Sequence, residues 1–389
     1  MISAFPDQEG QIQLLDQLMG SNEQVWHNMM AGLNNLQNFM NDQTLTEISF
    51  YLRVNERLAE CIGKPYSAYF DKSFKQIDLL YQGFYQLIQN EISVNGSSAL
   101  QYSSVKKFRA VRRDLLNLLK TFVKAFANDQ VEFVSKYGEL IMFMLNCYSS
   151  EIPELREPEV ILFMAESVNS LREQMEGVLS QVMSSVLDAV LPMITKDFSS
   201  FPDHRTNFFI FIQAMVNRCF QVFFAVKEEQ FKTVIDCVVW AIKHELPTIY
   251  EIGLSTLVCI LQCLSNKPDF SEHFYQHYYV SILSDTFFVL TDGLHSNGFS
   301  LQCQILFILF QELSRLNCQL IPSAQGMDNK TAVFEFIVTT LSQNFGNLAV
   351  NDHRRLLEAA FMNLTEFKNF KQSMRDYLVS LNLFTLQSQ

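Results

Sequence analysis

The spacing of the helix breakers limits this fold more than any other feature of the chain. Pro153, Pro202, Pro247, Gly298 and Gly346 are separated by 49, 45, 51 and 48 residues. Proline removes a backbone donor and glycine costs helix propensity, so each marks a place where a helix starts or stops. Between successive breakers lies a weaker break, at Gly177, at Lys227-Glu228-Glu229, around Pro268 and around Pro322 to Gly326. Each period therefore holds two helices. Two-helix units of about 40–47 residues are the signature of HEAT and armadillo arrays, whereas tetratricopeptide and ankyrin units want about 33 or 34. At 389 residues the chain outgrows one compact core, and a repeat array meets that limit because each unit needs only its neighbours.

Helical periodicity predicts helices near 22–40, 43–61, 66–94, 103–127, 129–147, 157–173, 177–197, 204–225, 228–245, 248–266, 269–291, 299–316, 330–345, 350–363 and 366–383. No stretch alternates with a two-residue period. Asp203, Asn128-Asp129 and Asn351-Asp352 offer N-caps, and Asn95-Gly96 a helix end. With 48% hydrophobic residues, 35 Phe and 15 Met, the chain has the bulky side chains that helix seams need. The expected fold is all-α: a right-handed α-solenoid of HEAT-type antiparallel helix pairs, forming one continuous domain over residues 1–389. Asn317 to Asp328 reads as an inter-helix loop inside it.

A net charge of -12 argues against general affinity for nucleic acid or anionic lipid and favours a basic protein partner. The eight cysteines at 61, 147, 219, 237, 259, 263, 303 and 318 have no disulfide-framework spacing and read as reduced core residues. The apolar run Phe208 to Val226 is nearly long enough to span a bilayer. However, Gln213, Asn217 and Gln221 recur every four residues beside Arg218, which suits a helix wedged between neighbours better than a membrane span.

Groups suited to catalysis are sparse. His273 and His277 have the spacing of a zinc-binding helix, but the intervening Glu of the HExxH pattern is absent and no third ligand is placed; a solvated pair is the simpler reading. Cys259 and Cys263 also share a helix face, where buried structural thiols compete with a metal or redox role. The seven His are scattered, at 27, 204, 244, 273, 277, 295 and 353, and there is no glycine-rich phosphate loop. No catalytic, cofactor-binding, metal-binding or partner-binding residues are assigned. In the basic run Lys106, Lys107, Arg109, Arg112 and Arg113, residues 106, 109 and 113 face away from Phe108, Val111 and Leu115. That face is either solvated or a dock for an acidic segment.

One stretch is more specific than these patterns. Ile194 to Ala214, ITKDFSSFPDHRTNFFIFIQA, closely resembles a helix-turn-helix junction of the exportin 1 family, nuclear export receptors of the importin-beta (karyopherin) type. Further matches follow in the family's order at Gln24-Val25-Trp26, Ser104 to Leu119, Arg156 to Val160, Gln230 to His244, Phe274 to Asp292 and Phe370 to Leu381. The best-matched part is about 55–385, and it corresponds to the family's C-terminal region. His204 and Arg205 read as residues that stay polar at a helix mouth and fix the turn between repeats.

The resemblance implies a receptor for cargo bearing a leucine-rich export signal. Such a receptor works with the GTP-bound form of Ran, meets nuclear pore proteins, and shuttles between nucleus and cytoplasm without binding nucleic acid or membrane. In the family, the Ran-gripping arch and the export-signal groove precede the region matched here, and an acidic tail follows it; none has an equivalent in this sequence. Met1 aligns with an internal family position, which leaves a fragment, a truncated product and a whole protein open. A stand-alone HEAT scaffold is the alternative function. Without an upstream neighbour, residues 1–40 are expected to leave an exposed apolar flank prone to self-association.

Overall fold

The computed structural model describes residues 8–31, 41–125, 130–196, 199–324 and 326–381. Regular structure among these residues is entirely helical, and the chain divides into two units, Met1–Ala225 and Val226–Gln389. The first holds α1 (Gln8–Met30), α2 (Asp42–Ile62), α3 (Tyr66–Asn95), α4 (Ser103–Ala125), α5 (Gln130–Ser150), α6 (Pro158–Leu171), α7 (Glu176–Ile194) and α8 (Pro202–Cys219). The second holds α9 (Glu228–Ile242), α10 (Pro247–Leu264), α11 (Pro268–Thr291), α12 (Phe299–Glu312), α13 (Asn329–Asn344), α14 (Val350–Met362) and α15 (Phe367–Ser380).

Within the first unit α2, α4, α6 and α8 stack in succession, while α1 packs on α3 and α5 on α7. Each of α3, α5 and α7 also packs on the helix that follows it. The second unit repeats the scheme: α9 packs on α10 and α11, α11 on α12, α13 on α14, and α10 on α12. It departs from the scheme at its end, where α15 packs on both α12 and α14. These are HEAT-type helix pairs in a solenoid.

The period read from the breakers reappears in the hydrogen bonds that tie one pair to the next. In the first unit Trp26 Nε1 donates to Gln76, Arg109 to Glu157, Asn207 to the Pro158 carbonyl and Cys219 to the Arg172 carbonyl; these span 50, 48, 49 and 47 residues. In the second unit Ser265 donates to Glu312 across 47 residues, and His295 meets the His244 carbonyl across 51.

Four prolines, at 158, 202, 247 and 268, stand at the first position of a helix, where the missing N–H costs nothing. Pro202 corrects one expectation. It places Phe201, at φ 57° and ψ 48°, in the cap position, so Asp203 lies in the first turn beside the helix dipole. Asn351 and Asp352 are likewise first-turn residues, Ala349 being the cap, while Asn128-Asp129 lie outside the described residues. Gly177 lies inside α7; the break falls at Arg172, whose φ of 44° opens a 3-10 turn over Arg172–Met175. The first helix runs earlier than 22–40, and residues 32–40 are outside the described set.

Aromatic side chains fill the seams. Phe70 of α3 lies 3.8 Å from Phe122 of α4 between ring centres, with Tyr137 of α5 edge-on to both, and Phe310 of α12 meets Phe361 of α14 at 4.3 Å. At α9 and α10 the backbones themselves approach: a Cβ on Gly253 would lie 2.8 Å from that of Ala241. In α8, Asn217 and Arg218 are exposed and Gln213 half-buried, while Phe208, Phe211, Ile212 and Met215 are buried, so the polar stripe is where periodicity put it. Three stretches (Gly177–Ile194, Pro202–Phe224 and Pro247–Leu264) are long and apolar enough to cross a membrane, and at least half of each is buried inside the fold. The reading of all eight cysteines as core residues needs correction: only Cys147, Cys219 and Cys303 are buried, and Cys61 is exposed.

Candidate binding surfaces

The basic run on α4 divides in two. Lys106 and Arg113 are exposed, and Lys107 pairs with Asp42 near the surface, as a solvated face would have it. Arg112 is different, being only 1% exposed. Its guanidinium forks onto the Glu151 carboxylate and donates to the Leu155 carbonyl at 3.2 Å. Glu157, also buried, takes a 2.7 Å bond from Arg109 and lies 3.7 Å from Arg112. Arg112 therefore does not belong to a solvated or docking face. The turn into α6 carries two carboxylates beneath α4, and an unpaired carboxylate there would be strongly disfavoured. Burial pushes the Glu151 carboxyl up and Arg112 opposes it; burial likewise opposes the charge on Arg112, but Glu151, Tyr81 and Glu157 outweigh that and hold its pKa up. The forked geometry is that of an ionised pair.

The same chain shows what the scattered histidines do. Each turn from an odd-numbered helix to the next even one, from α5 onward, holds a buried or half-buried polar side chain that bonds across it. At α5–α6, Arg156 donates to the carbonyls of Glu151, Ser149 and Ala189 and stacks over Tyr148. At α7–α8, Arg205 donates to the Ile194 and Ser200 carbonyls. Its neighbour His204 packs near Tyr148 and Phe201; burial holds its ring down to about 4, with a backbone hydrogen bond at Arg156 opposing the shift. The pair fixes the turn as expected, but from inside the fold. His244 accepts from the Leu246 N–H at α9–α10. At α11–α12 the His295 ring lies between the Asp292 carboxylate and the His244 carbonyl. At α13–α14 His353 donates to the Phe345 carbonyl and accepts from the Tyr377 hydroxyl at 2.8 Å. These histidines are internal braces.

His273 and His277 lie exposed on α11, with His277 Nδ1 2.9 Å from the His273 carbonyl. Among the described residues no group of three or more His, Cys, Asp or Glu is placed to hold a metal. Burial pushes the thiols of Cys259 and Cys263 up, which keeps them in the unreactive thiol form.

Among the described residues, open apolar surface includes two recesses. In the first unit Val25 and Met29 of α1 and Phe50 and Val54 of α2 line a recess of about 310 Å³, with Phe50 63% exposed. Val25 and the exposed Leu18 fall within the flank expected over residues 1–40, of which 1–7 and 32–40 lie outside the described residues. In the second unit α11 and α13 part after the long loop between α12 and α13. They leave a groove of about 570 Å³ walled by Leu283, Phe287, Phe288, Phe336, Ile337 and Leu341. α11 is apolar around most of its circumference, with Phe274, Tyr275, Ile282 and Leu283 buried and Phe288 exposed. That composition was visible in the sequence and signals a helix with partners on more than one side.

Stacked helix pairs with braced turns define a class: a HEAT-type α-solenoid. The chain matches the family described as CRM1 C terminal over residues 70–386. It is 30% identical over 388 residues to Exportin-1 of Dictyostelium discoideum, and 29% identical to Exportin-1 of Schizosaccharomyces pombe and of Drosophila melanogaster. These alignments cover 98–99% of this chain and 36% of each relative, so the chain spans about a third of their length. The chain belongs to the exportin 1 family and corresponds to its C-terminal region.

Proposed function

We propose that this chain is the C-terminal part of a nuclear export receptor, carrying proteins with leucine-rich export signals out of the nucleus together with Ran-GTP. The observation that carries the reading is family similarity along the whole described array rather than at one motif. Family members are transport receptors, and a binding rather than catalytic role follows. On this reading the protein shuttles between nucleus and cytoplasm and meets nuclear pore proteins. The 389 residues act as one continuous array, supported by the same helix-pair scheme recurring in both units.

In this reading the groove that reads the signal belongs to repeats upstream of those matched here. Fluorescence anisotropy should therefore show weak or no binding of an isolated leucine-rich export peptide to this chain alone. Tight, sequence-specific binding would overturn that placement. In cells, depletion of the protein should trap a leucine-rich-signal reporter in the nucleus. An unchanged reporter would instead favour the stand-alone HEAT scaffold.

A further inference from the structure

His273 and His277 stand one turn apart in the first half of α11, both exposed, with ring centres 4.5 Å apart. Two imidazoles on one ion, at metal–nitrogen distances of about 2.0–2.1 Å and with roughly 90–110° between the bonds, would have ring centres roughly 4.5–5.2 Å apart. The two rings are therefore already at a chelating separation. His277 Nδ1 lies 2.9 Å from the His273 carbonyl. A carbonyl only accepts, so Nδ1 carries the proton and Nε2 of the neutral ring keeps its lone pair. A metal-bound histidine is ordinarily held in the same way, by a bond from its other nitrogen. Neither ring nitrogen of His273 is bonded within the described residues.

From this geometry we infer that His273 and His277 form a surface site for one divalent late first-row transition ion of the Ni²⁺, Cu²⁺ and Zn²⁺ class. Imidazole suits these ions, whereas Mg²⁺ and Ca²⁺ prefer oxygen. Both ligands ride on one helix, so once the first nitrogen has bound, the second meets the ion at high effective concentration. The chain supplies these two ligands and water completes the coordination, because no third His, Cys, Asp or Glu among the described residues is placed to join them. The residues between them, Phe274, Tyr275 and Gln276, include no carboxylate. The site therefore lacks the general base of a zinc-protease helix, and it binds the ion without a hydrolytic step. A net charge of -12 favours the approach of a cation. The inference does not depend on the export reading.

Calorimetric titration of the full chain with Ni²⁺ tests it. The wild type should show a saturable site, Cu²⁺ should bind it more tightly than Ni²⁺, and Mg²⁺ should not bind. His273→Ala and His277→Ala should each weaken Ni²⁺ binding about tenfold or more, because either change removes the chelate. Both side chains are exposed, so neither change disturbs the core. Absence of a saturable Ni²⁺ site in the wild type would overturn the inference. So would a site that survives both variants, which would place the ion on other residues such as the exposed Cys61. Weakening in only one variant would leave a single imidazole as the ligand and would equally overturn the shared site.

Discussion

The turn into α6 in the first unit and the turns into α10, α12 and α14 in the second do the same mechanical job with different chemistry. The first is braced by ions, with Arg112 against Glu151 and Arg109 against Glu157. The later ones are braced by His244, His295 and His353, which bond to backbone carbonyls and N–H groups, to Tyr377 and, at His295, to the Asp292 carboxylate. A HEAT junction requires that the polar groups of a buried turn be satisfied, and either side-chain type meets that need. What differs is how the junction fails. Removing one member of a buried ion pair strands a charge, whereas removing a hydroxyl such as that of Tyr377 strands one hydrogen-bonding group.

The largest expected effect follows from that contrast. Arg112→Ala leaves Glu151 and Glu157 buried beneath α4 without their shared cation. It should cost about 3–5 kcal/mol in urea unfolding, with little relief from added salt because the pair is buried. A loss under about 1 kcal/mol would erase the distinction between the two kinds of brace.

Next comes pH. The His204 ring is held down by burial from 6.5 to about 4. A depressed folded pKa means the unfolded chain takes up the proton first. The contribution is therefore complete above 6.5 and disappears as pH falls toward 4, amounting to about 3 kcal/mol across that window. Glu151 and Glu159, raised by burial, act in the opposite direction, so the comparison that isolates the histidine is wild type against His204→Asn, whose acid loss should be smaller.

In the second unit Tyr377→Phe removes the hydroxyl that bonds buried His353 and should cost about 1–3 kcal/mol, measured as a lower urea midpoint. If it matched Arg112→Ala, a hydroxyl–imidazole brace would be as critical as an ion pair. The smallest effect belongs to the surface. Lys107→Ala breaks an exposed pair with Asp42 and should change stability by less than about 1 kcal/mol, falling further in salt.

How much of this was legible depended on how local the cause is. Pro202 and Pro247 begin helices because of their own rings, and Asn217 and Arg218 stay outside because α8 has a 3.6-residue period; one sequence suffices for both. Arg112 and Arg113 are adjacent and chemically identical, yet one is buried and the other exposed. Nothing within a few residues of Arg112 states that Glu151 lies 39 positions away. The histidines looked scattered for the same reason, since turn residues at unequal offsets from their helices show no period along the chain. The groove was half legible: the excess apolar surface of α11 was on view, but the parting of α11 from α13 was not.

By itself, the sequence determined the all-helical repeat, its length near 48 residues and the family it resembles, because breakers and helical periodicity act over a few residues. Only the tertiary structure decided which polar side chains brace the turns and where apolar surface is left open. Those outcomes depend on which helix faces meet across a whole repeat, and a buried charge or an open seam is a property of the pair rather than of either residue.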